Sequence, residues 1–418
     1  MEQNGGEGAF RSERMDSAHP NWQTAVRRAH TLYPRNNDIR SEFERDYTRI
    51  LHCGAYRRLK HKTQVFFAPK NDHVCTRMEH AAHVASVSTT IAKYLGLNEE
   101  LTRAIALGHD IGHAPFGHHG ETCLNTLLEQ KDGVNAPKRF WHERNSLFFA
   151  DYIETLQDPD GALQPLNLTY AVRDGIICHC GEIHETGVRP RSEETDLYGI
   201  RRAGALQPYT WEGCVVKIAD TAASLGRDIE DARIYHILDM GAYRELKEIV
   251  AETIGFGPRS GRAVNTTVLI NDLIVDLCRQ SSPERGLCFS APYCAFISRL
   301  RQFNTANIYN HWRLREFERY AANVLRTIHD ALLRTFPFAA SKKIPFCLKR
   351  FPRLLETFED WLVCCSDYDE QAKRTRRCST PAVFSVHDEQ SYRKCIIEYI
   401  SGMTDQYAIQ IYEEIISF

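Results

Sequence analysis

The fold and the chemistry of this chain depend on residues 109–121, His109-Asp110-Ile111-Gly112-His113-Ala114-Pro115-Phe116-Gly117-His118-His119-Gly120-Glu121. An adjacent His-Asp pair is followed there by further histidines and a glutamate. Seven of the chain's 18 histidines lie between His73 and His119. Such a group is costly to bury, because buried polar groups need partners and buried charges need counter-charges or a metal. The stretch therefore predicts a metal-centred hydrolytic site.

The bulk composition is typical of a soluble globular protein. The 418 residues can form one large domain or two ordinary ones, with 43% hydrophobic and 25% charged residues. A net charge of −2 favours neither nucleic acid nor membrane as a partner. We find no signal peptide and no apolar run of roughly 18 residues, the length that spans a bilayer. Fourteen cysteines in such a chain indicate reduced thiols, so we expect a cytoplasmic protein.

One tight cysteine motif, Cys178-His179-Cys180, has two interpretations. It could contribute to a structural zinc site, but no second Cys or His pair follows at the spacing of a zinc finger. We therefore favour ordinary buried or half-buried thiols.

Apolar periodicity predicts a mainly α-helical fold with, at most, a short hairpin. One helix passes through residues 81–95 and ends at Gly96, and Asn98 is the predicted N-cap of the next, which runs to His109-Asp110. Further helices are predicted at about 142–156, 168–180, 211–235, 242–254, 265–280 and 313–335.

Three regions are predicted along the chain. Residues 1–40 have the polar composition of a flexible arm, 41–260 form a catalytic domain, and 261–418 form a helical region that completes the fold. The Gly- and Pro-containing loop 256–263 is the expected boundary. The basic run 373–377 is predicted to be a loop, interpreted as a solvated surface with single-stranded nucleic-acid binding as the alternative.

A metal ion could be held by His109 and Asp110 at the end of their helix, together with two further groups. Divalent ions of this kind usually take three or four protein ligands. His80 could supply a third ligand, and Asp220, on an otherwise apolar helix face, a fourth. Taken alone, Asp220 fits a salt-bridged or capping residue better. Mixed imidazole and carboxylate ligands suit Mn, Fe, Co, Ni or Mg better than structural zinc.

Proton donors and anion contacts have candidates close by. Four side chains could transfer protons or contact phosphates: His113, His118, Glu121 and His142. Each of them alone is better explained as a hydrogen-bonded core residue. Their convergence near one His-Asp pair favours a catalytic role instead. Arg77 lies three residues before His80, so on a helix it shares that face and could contact phosphate oxygens. No Walker-type or dinucleotide-binding glycine loop is present.

A basic segment supplies further candidates for anion binding. Arg57 lies in a run with other cations, Arg58, Lys60 and Lys62. A solvated charge run and an anion site explain this segment equally well.

Together these motifs resemble the dGTPase-type deoxynucleotide triphosphohydrolases of the HD phosphohydrolase superfamily. His80, His109-Asp110 and Asp220 match the H…HD…D pattern of the superfamily. The more specific likeness covers roughly residues 40–310 and is carried by Ala55–Phe66, Ala106–His118, Leu225–Ala232, Leu300–Asn304 and Asn307–Tyr309.

The resemblance implies a helical HD-domain fold with extra C-terminal helices. The implied activity is hydrolysis of a dNTP, dGTP among them, to deoxynucleoside and inorganic triphosphate, with Mn or Mg as the expected ion. It also implies a homo-oligomer and, in some relatives, a dNTP activator.

The resemblance assigns roles residue by residue. The implied metal ligands are His80, His109, Asp110 and Asp220. The implied catalytic residues are His113, His118, Glu121 and His142. We expect substrate contacts from Arg57, Gln64, Arg77, Lys217 and Asp228.

Two other functions stay open at this point. One is an HD-family nucleotide phosphatase or phosphodiesterase of other specificity. The other is a non-catalytic HD protein that binds nucleotide or nucleic acid; loss of a metal ligand would mark it, and none is lost here.

Overall fold

Helices form most of this computed structural model, in which the described residues are 6–33, 38–66, 73–132, 140–181, 187–254, 266–342 and 350–417. Within them the helices are α1 (Trp22–Ala25), α2 (Glu42–His52), α3 (Gly54–Arg58), α4 (Arg77–Leu95), α5 (Glu99–Gly108), α6 (Gly117–Asp132), α7 (His142–Phe148), α8 (Tyr170–Cys178), α9 (Trp211–Ile234), α10 (Met240–Ile254), α11 (Thr266–Gln280), α12 (Ala291–Asn304), α13 (Trp312–Leu333), α14 (Phe336–Ala339), α15 (Pro352–Cys365), α16 (Glu370–Thr375), α17 (Glu389–Ser401) and α18 (Asp405–Ile416). The mainly α-helical class predicted from the sequence is confirmed. No helix in these ranges is both long enough and apolar enough to cross a bilayer.

The helix ends around the His-Asp pair follow the sequence signals. Gly96 ends α4 in the left-handed conformation, with φ of 85°. The side chain of Asn98 accepts hydrogen bonds from the first backbone N–H groups of α5. These two caps set the sharp turn that packs α5 along α4, so that the end of α5 faces the start of α4.

The helix predicted at 142–156 is shorter than expected. α7 ends at Phe148 and continues as a π-helical turn, Phe149–Ile153. The chain then enters a hairpin in which β1 (Thr155–Gln157) pairs antiparallel with β2 (Leu163–Pro165). The apolar residues continue across this junction, and for that reason their spacing alone does not locate the end of the helix.

Residues 6–33 pack against the helices, in contrast to the flexible arm that their composition predicts. Phe10 is fully buried, and its ring meets that of Trp211 at 4.8 Å between centroids. The backbone N–H of Met15 donates to Glu212 at 3.0 Å. A few apolar anchors hold an otherwise polar segment, and average composition does not reveal them.

Two apolar cores organise the helices. The first lies among α2, α4, α5, α8, α9, α11 and α12. The second lies among α6, α13, α15, α17 and α18. Helices on both sides of residue 260 therefore share one core; the expected boundary itself, 256–263, lies outside the described residues.

The basic run 373–377 begins within α16 instead of forming a loop. Lys373 is buried, Arg376 pairs with Asp360 at 2.6 Å, and Arg377 donates to the carbonyl of Asp160 at 2.7 Å. Asp369 caps the helix by accepting from its first N–H groups, which is why the chain turns helical before the basic residues. Much of the run's charge is engaged within the protein.

The C-terminal helices are tied directly to the His-rich stretch. The amine of the buried Lys62 donates to the carbonyls of His113 and Ser401. Asp405 accepts from the N–H groups of Phe116 at 2.9 Å and Thr63 at 3.2 Å. The start of α18 thus fixes the loop between α5 and α6.

Candidate active site

The start of α4 presents Arg77 and His80 to the interior. The Thr76 side chain accepts from the N–H of Glu79, and the Glu79 carboxylate accepts from the N–H of Thr76 at 2.8 Å. This reciprocal capping box fixes where the helix begins. His80 and Arg77, three residues apart, are consequently buried on one face of the first turn.

His109 has the orientation and protonation of a metal ligand. Its Nδ1 donates to the carbonyl of Ala106 at 2.7 Å, the arrangement that commonly orients a ligating histidine. Burial lowers the pKa of His109 to about 4, so the ring is neutral. Its buried Nε2 makes no hydrogen bond to any residue that the structure describes. A buried lone pair without a donor is what a metal ion would satisfy.

Four side chains from three segments meet at this nitrogen. Nε2 of His109 lies 3.6 Å from Oδ1 of Asp110 and 3.9 Å from Oδ1 of Asp220. Nε2 of His80 lies 2.9 Å from the same Asp220 oxygen. An octahedral ion with ligands at about 2.1 Å places neighbouring ligand atoms about 3 Å apart and opposite ones about 4 Å apart. These separations fit such a shell. The ligand atoms of His80, His109 and Asp110 all lie within 4.8 Å of one another, so they can hold a divalent ion, with Asp220 next to His80 and His109 as the candidate fourth ligand.

The charges in this group are mutually stabilised. Burial opposes ionisation of Asp110, but His109, His113 and Arg77 hold the pKa of its carboxyl well below the usual range. Although burial disfavours the cation, the hydrogen bond to Asp220 raises the pKa of His80. The site therefore keeps its carboxylates ionised and available to a cation.

Arg77 lies beside the ligand group and has hydrogen-bond donors that are not used within the described residues. It is 1% exposed, and its Nη1 donates to Oδ2 of Asp110 at 2.7 Å. Its Nε and Nη2 have no partner within the described part of the chain. Unused buried guanidinium donors point to an anion as their partner.

The predicted proton carriers form a second group next to the first. The rings of His113 and His142 stack at 3.9 Å, and His118 meets His142 at 5.5 Å. Nε2 of His113 lies 3.4 Å from Oδ1 of Asp110, which links the two groups. The side chain of His118 is 73% exposed, so it faces the opening of the site.

Glu121 organises the charges of this second group. Its Oε2 lies 3.1 Å from Nδ1 of His142 and 3.8 Å from Nδ1 of His118. Burial opposes its ionisation, but hydrogen bonds to His118 and His142 lower the pKa of Glu121 to about 2. Burial also opposes the cation of His142, yet Glu143 and Glu121 raise its pKa to about 9. In the metal-free protein this pair is charged near neutral pH.

Three of the predicted substrate contacts already have a hydrogen-bond partner within the protein. Arg57 is exposed on α3 and donates to the carbonyl of His52, away from the groups above. The amine of Lys217 donates to Oε1 of Gln207 at 3.0 Å. Asp228 is buried and accepts from the hydroxyl of Tyr309.

Two acceptors near the site remain available. Oε1 of Gln64 and Oδ1 of Asp228 are buried and lack hydrogen-bond partners among the residues described. The backbone of Gln64 is near Gly117 and so near Arg77, because a Cβ at Gly117 would meet the Gln64 carbonyl at 3.4 Å and Nη2 of Arg77 at 3.1 Å.

His179 is interpreted from the sequence only within the Cys178-His179-Cys180 motif, and its place beside His109 is not predicted. It is 1% exposed, its Nδ1 donates to the carbonyl of Ile176 at 2.7 Å, and its ring lies 4.9 Å from that of His109. This is the same side-chain arrangement that His109 has. The available signal was a histidine at the end of an apolar helix, which the flanking cysteines obscured.

Comparison with known proteins agrees with this geometry. The HD domain family model matches residues 77–225, a segment that contains His80, His109, Asp110 and Asp220. A deoxyguanosinetriphosphate triphosphohydrolase-like protein of Caldanaerobacter subterraneus subsp. tengcongensis is 33% identical over 384 residues, 90% of this chain and 86% of that protein. Proteins with the same description from Ralstonia nicotianae (31% identical, 90% and 88% covered) and Bordetella pertussis (29%, 92% and 91%) also match. The chain therefore belongs to the deoxyguanosinetriphosphate triphosphohydrolase-like proteins of the HD-domain phosphohydrolases.

Proposed function

We propose that this protein hydrolyses a dNTP, dGTP among them, to deoxynucleoside and inorganic triphosphate in a metal-dependent reaction. One observation carries the proposal. The buried ligand-type side chains His80, His109 and Asp110, with the half-buried Asp220 against His80 and His109, adjoin unused Arg77 donors and an exposed histidine. The relatives, described as deoxyguanosinetriphosphate triphosphohydrolase-like proteins, support the substrate class.

The metal would be a divalent ion held by the four ligands, Mn or Mg, with Fe, Co and Ni also compatible with imidazole and carboxylate donors. When bound, it supplies polarisation of a phosphoryl oxygen and acidification of water.

The surrounding residues have separable tasks in this proposal. The free Nε and Nη2 of Arg77 bind phosphate oxygens and offset charge that develops during attack on the α-phosphorus. The leaving 5′-oxygen of the sugar needs a proton, which His118 at the mouth of the site can give. Glu121 keeps His118 and its neighbour His142 oriented toward that position. His113 links these histidines to Asp110.

The sugar would meet the buried acceptors. Oε1 of Gln64 and Oδ1 of Asp228 can each accept a hydrogen bond from a hydroxyl group, and leaving them unpaired is costly. Arg57 and Lys217 each have one donor engaged within the protein, and their other donors are kept as candidates for substrate contacts.

The proposal extends to a cytoplasmic homo-oligomer that a second dNTP can activate. Single-stranded nucleic acid is kept as an accessory ligand. Turnover of one dNTP that needs another tests the activator, molar mass in solution tests the assembly, and a steep salt dependence of binding tests nucleic acid.

Product analysis tests the activity. The purified protein is incubated with each dNTP and each rNTP singly and with a dNTP mixture, in Mg or Mn, and products are resolved by ion exchange. We expect deoxynucleoside and intact triphosphate, and no turnover by Asp110→Ala. Monophosphate or free phosphate would move the assignment to another HD chemistry, and absence of any product would favour a binding role.

A further inference from the structure

A second group of ligand-type side chains lies beside the first and has different chemistry. It consists of His142, Glu143, His179 and Cys180, whose ligand atoms all lie within 4.8 Å of one another. Two of these residues begin α7, and the other two follow the end of α8. The tight packing of these helix ends brings a carboxylate, a thiol and two imidazoles together.

The carboxylate of Glu143 is buried beside His142 and Cys180. It is 1% exposed, and its buried Oε2 makes no hydrogen bond in the ranges that the structure describes. The same oxygen lies 3.5 Å from Nδ1 of His142. At this distance the His142 imidazole offsets part of the carboxylate charge without a hydrogen bond, so the oxygen keeps a lone pair that a metal ion can bind.

The separations suit a small coordination shell. Sγ of Cys180 lies 3.9 Å from Nε2 of His142. In a tetrahedral site with metal–sulfur and metal–nitrogen bonds of about 2.3 and 2.0 Å, those two atoms are about 3.5 Å apart. Nδ1 of His179 is held by the Ile176 carbonyl, which leaves Nε2 for a ligand. Only small side-chain movements would therefore be needed.

We propose that His142, Glu143, His179 and Cys180 form a second site for a divalent transition-metal ion, next to the first. The thiol makes this site suited to borderline-soft ions such as Zn, Co and Fe, whereas the first ligand group offers nitrogen and oxygen alone. The two sites adjoin, because Nε2 of His142 lies 4.0 Å from Oδ1 of Asp110. In this arrangement His142 acts as a metal ligand, and in the absence of the second ion it carries a proton between carboxylates.

Cobalt titration tests the proposal and does not depend on the substrate. The full-length protein is freed of metal with a chelator and titrated with Co²⁺ without oxygen, while absorption and bound metal are measured. We expect about two equivalents per chain, one of them with the thiolate-to-cobalt charge-transfer absorption. Cys180→Ser should remove that absorption and one equivalent.

Two further variants make the result specific. Cys178→Ser is the matched control, because Sγ of Cys178 lies 3.8 Å from Asp174 and outside the group, so absorption and both equivalents should be kept. His109→Ala should lose the other equivalent and keep the charge-transfer absorption.

Absence of the charge-transfer absorption in the unmodified protein, or absorption that survives Cys180→Ser, would overturn the second site. So would loss of the absorption in Cys178→Ser. Failure to hydrolyse dNTPs would contradict the proposed function alone, so the two failures are distinguishable.

Discussion

Replacement of Asp405 tests whether the C-terminal helices hold the active site together. Asp405 is the first residue of α18 and is 1% exposed. Its carboxylate accepts from the N–H of Phe116, the N–H of Thr63 and the hydroxyl of Thr63. Phe116 has φ of 63°, a left-handed conformation that costs a non-glycine residue about 1–3 kcal/mol and needs support from its surroundings.

The expected loss follows from these contacts. Each hydrogen bond to a charged group contributes about 1.5–3 kcal/mol, and Asp405→Ala removes three of them. The cost of burying the carboxylate, which raises its pKa, offsets part of that gain. We therefore expect a decrease of about 3–5 kcal/mol in the free energy of unfolding. We also expect weaker metal binding, because the loop that carries the ligands His109 and Asp110 is released.

Urea unfolding and metal titration of Asp405→Ala measure both effects. The matched control is Asp388→Ala, an exposed N-cap of α17 that accepts from the N–H of Ser391 at 2.8 Å. Loss of such a cap costs about 1 kcal/mol and should leave metal affinity unchanged. If Asp405→Ala is no more destabilising than this control, the C-terminal helices do not support the site as described.

Three further predictions concern the site itself. His118→Ala should keep its metal and slow turnover about 10²–10⁴-fold, measured by quenched product formation, and an unchanged rate would remove His118 from proton transfer. In the metal-free protein His142 should titrate by NMR near pH 9, and its pKa should be lower in Glu121→Gln. Because folding raises this pKa, the contribution of protonated His142 to the free energy of unfolding is full below about pH 6.5 and is lost as the pH rises through 9. A titration midpoint near 6.5 would contradict the charged pair. Gly112→Ala would place a Cβ 2.1 Å from the Ser146 nitrogen, so it should lower the free energy of unfolding by about 1–3 kcal/mol or more and impair metal binding, and native stability in a melting experiment would contradict this packing.

Local patterns in the sequence are sufficient to predict much of the architecture. The stop at Gly96 and the cap at Asn98 are read from adjacent residues, and the structure has both. The four expected metal ligands are also brought together. The sequence predicts this because burial of an adjacent His-Asp pair is unfavourable unless partners or a metal ion compensate its polar groups. Their roles as ligands stay predictions until metal binding is measured.

Contacts between segments that are distant in the sequence were not predicted. The sequence around Thr63 does not predict that Asp405 accepts a hydrogen bond from its backbone N–H, since 342 positions separate the two residues. The same holds for the anchor Phe10 on Trp211 within a polar segment. The position of His179 was not predicted for another reason. Its flanking cysteines suggested a local motif, whereas its neighbours in space are His109, at the end of α5, and His142, at the start of α7.

Hydrolysis in ¹⁸O-labelled water tests the central claim most directly. A dNTP that the enzyme turns over is converted in labelled water, and the deoxynucleoside and triphosphate are analysed by mass spectrometry. Attack of water on the α-phosphorus predicts one ¹⁸O atom in the triphosphate and none in the deoxynucleoside. Label in the deoxynucleoside, or label in free phosphate or diphosphate released from a shortened nucleotide, would contradict the proposed reaction.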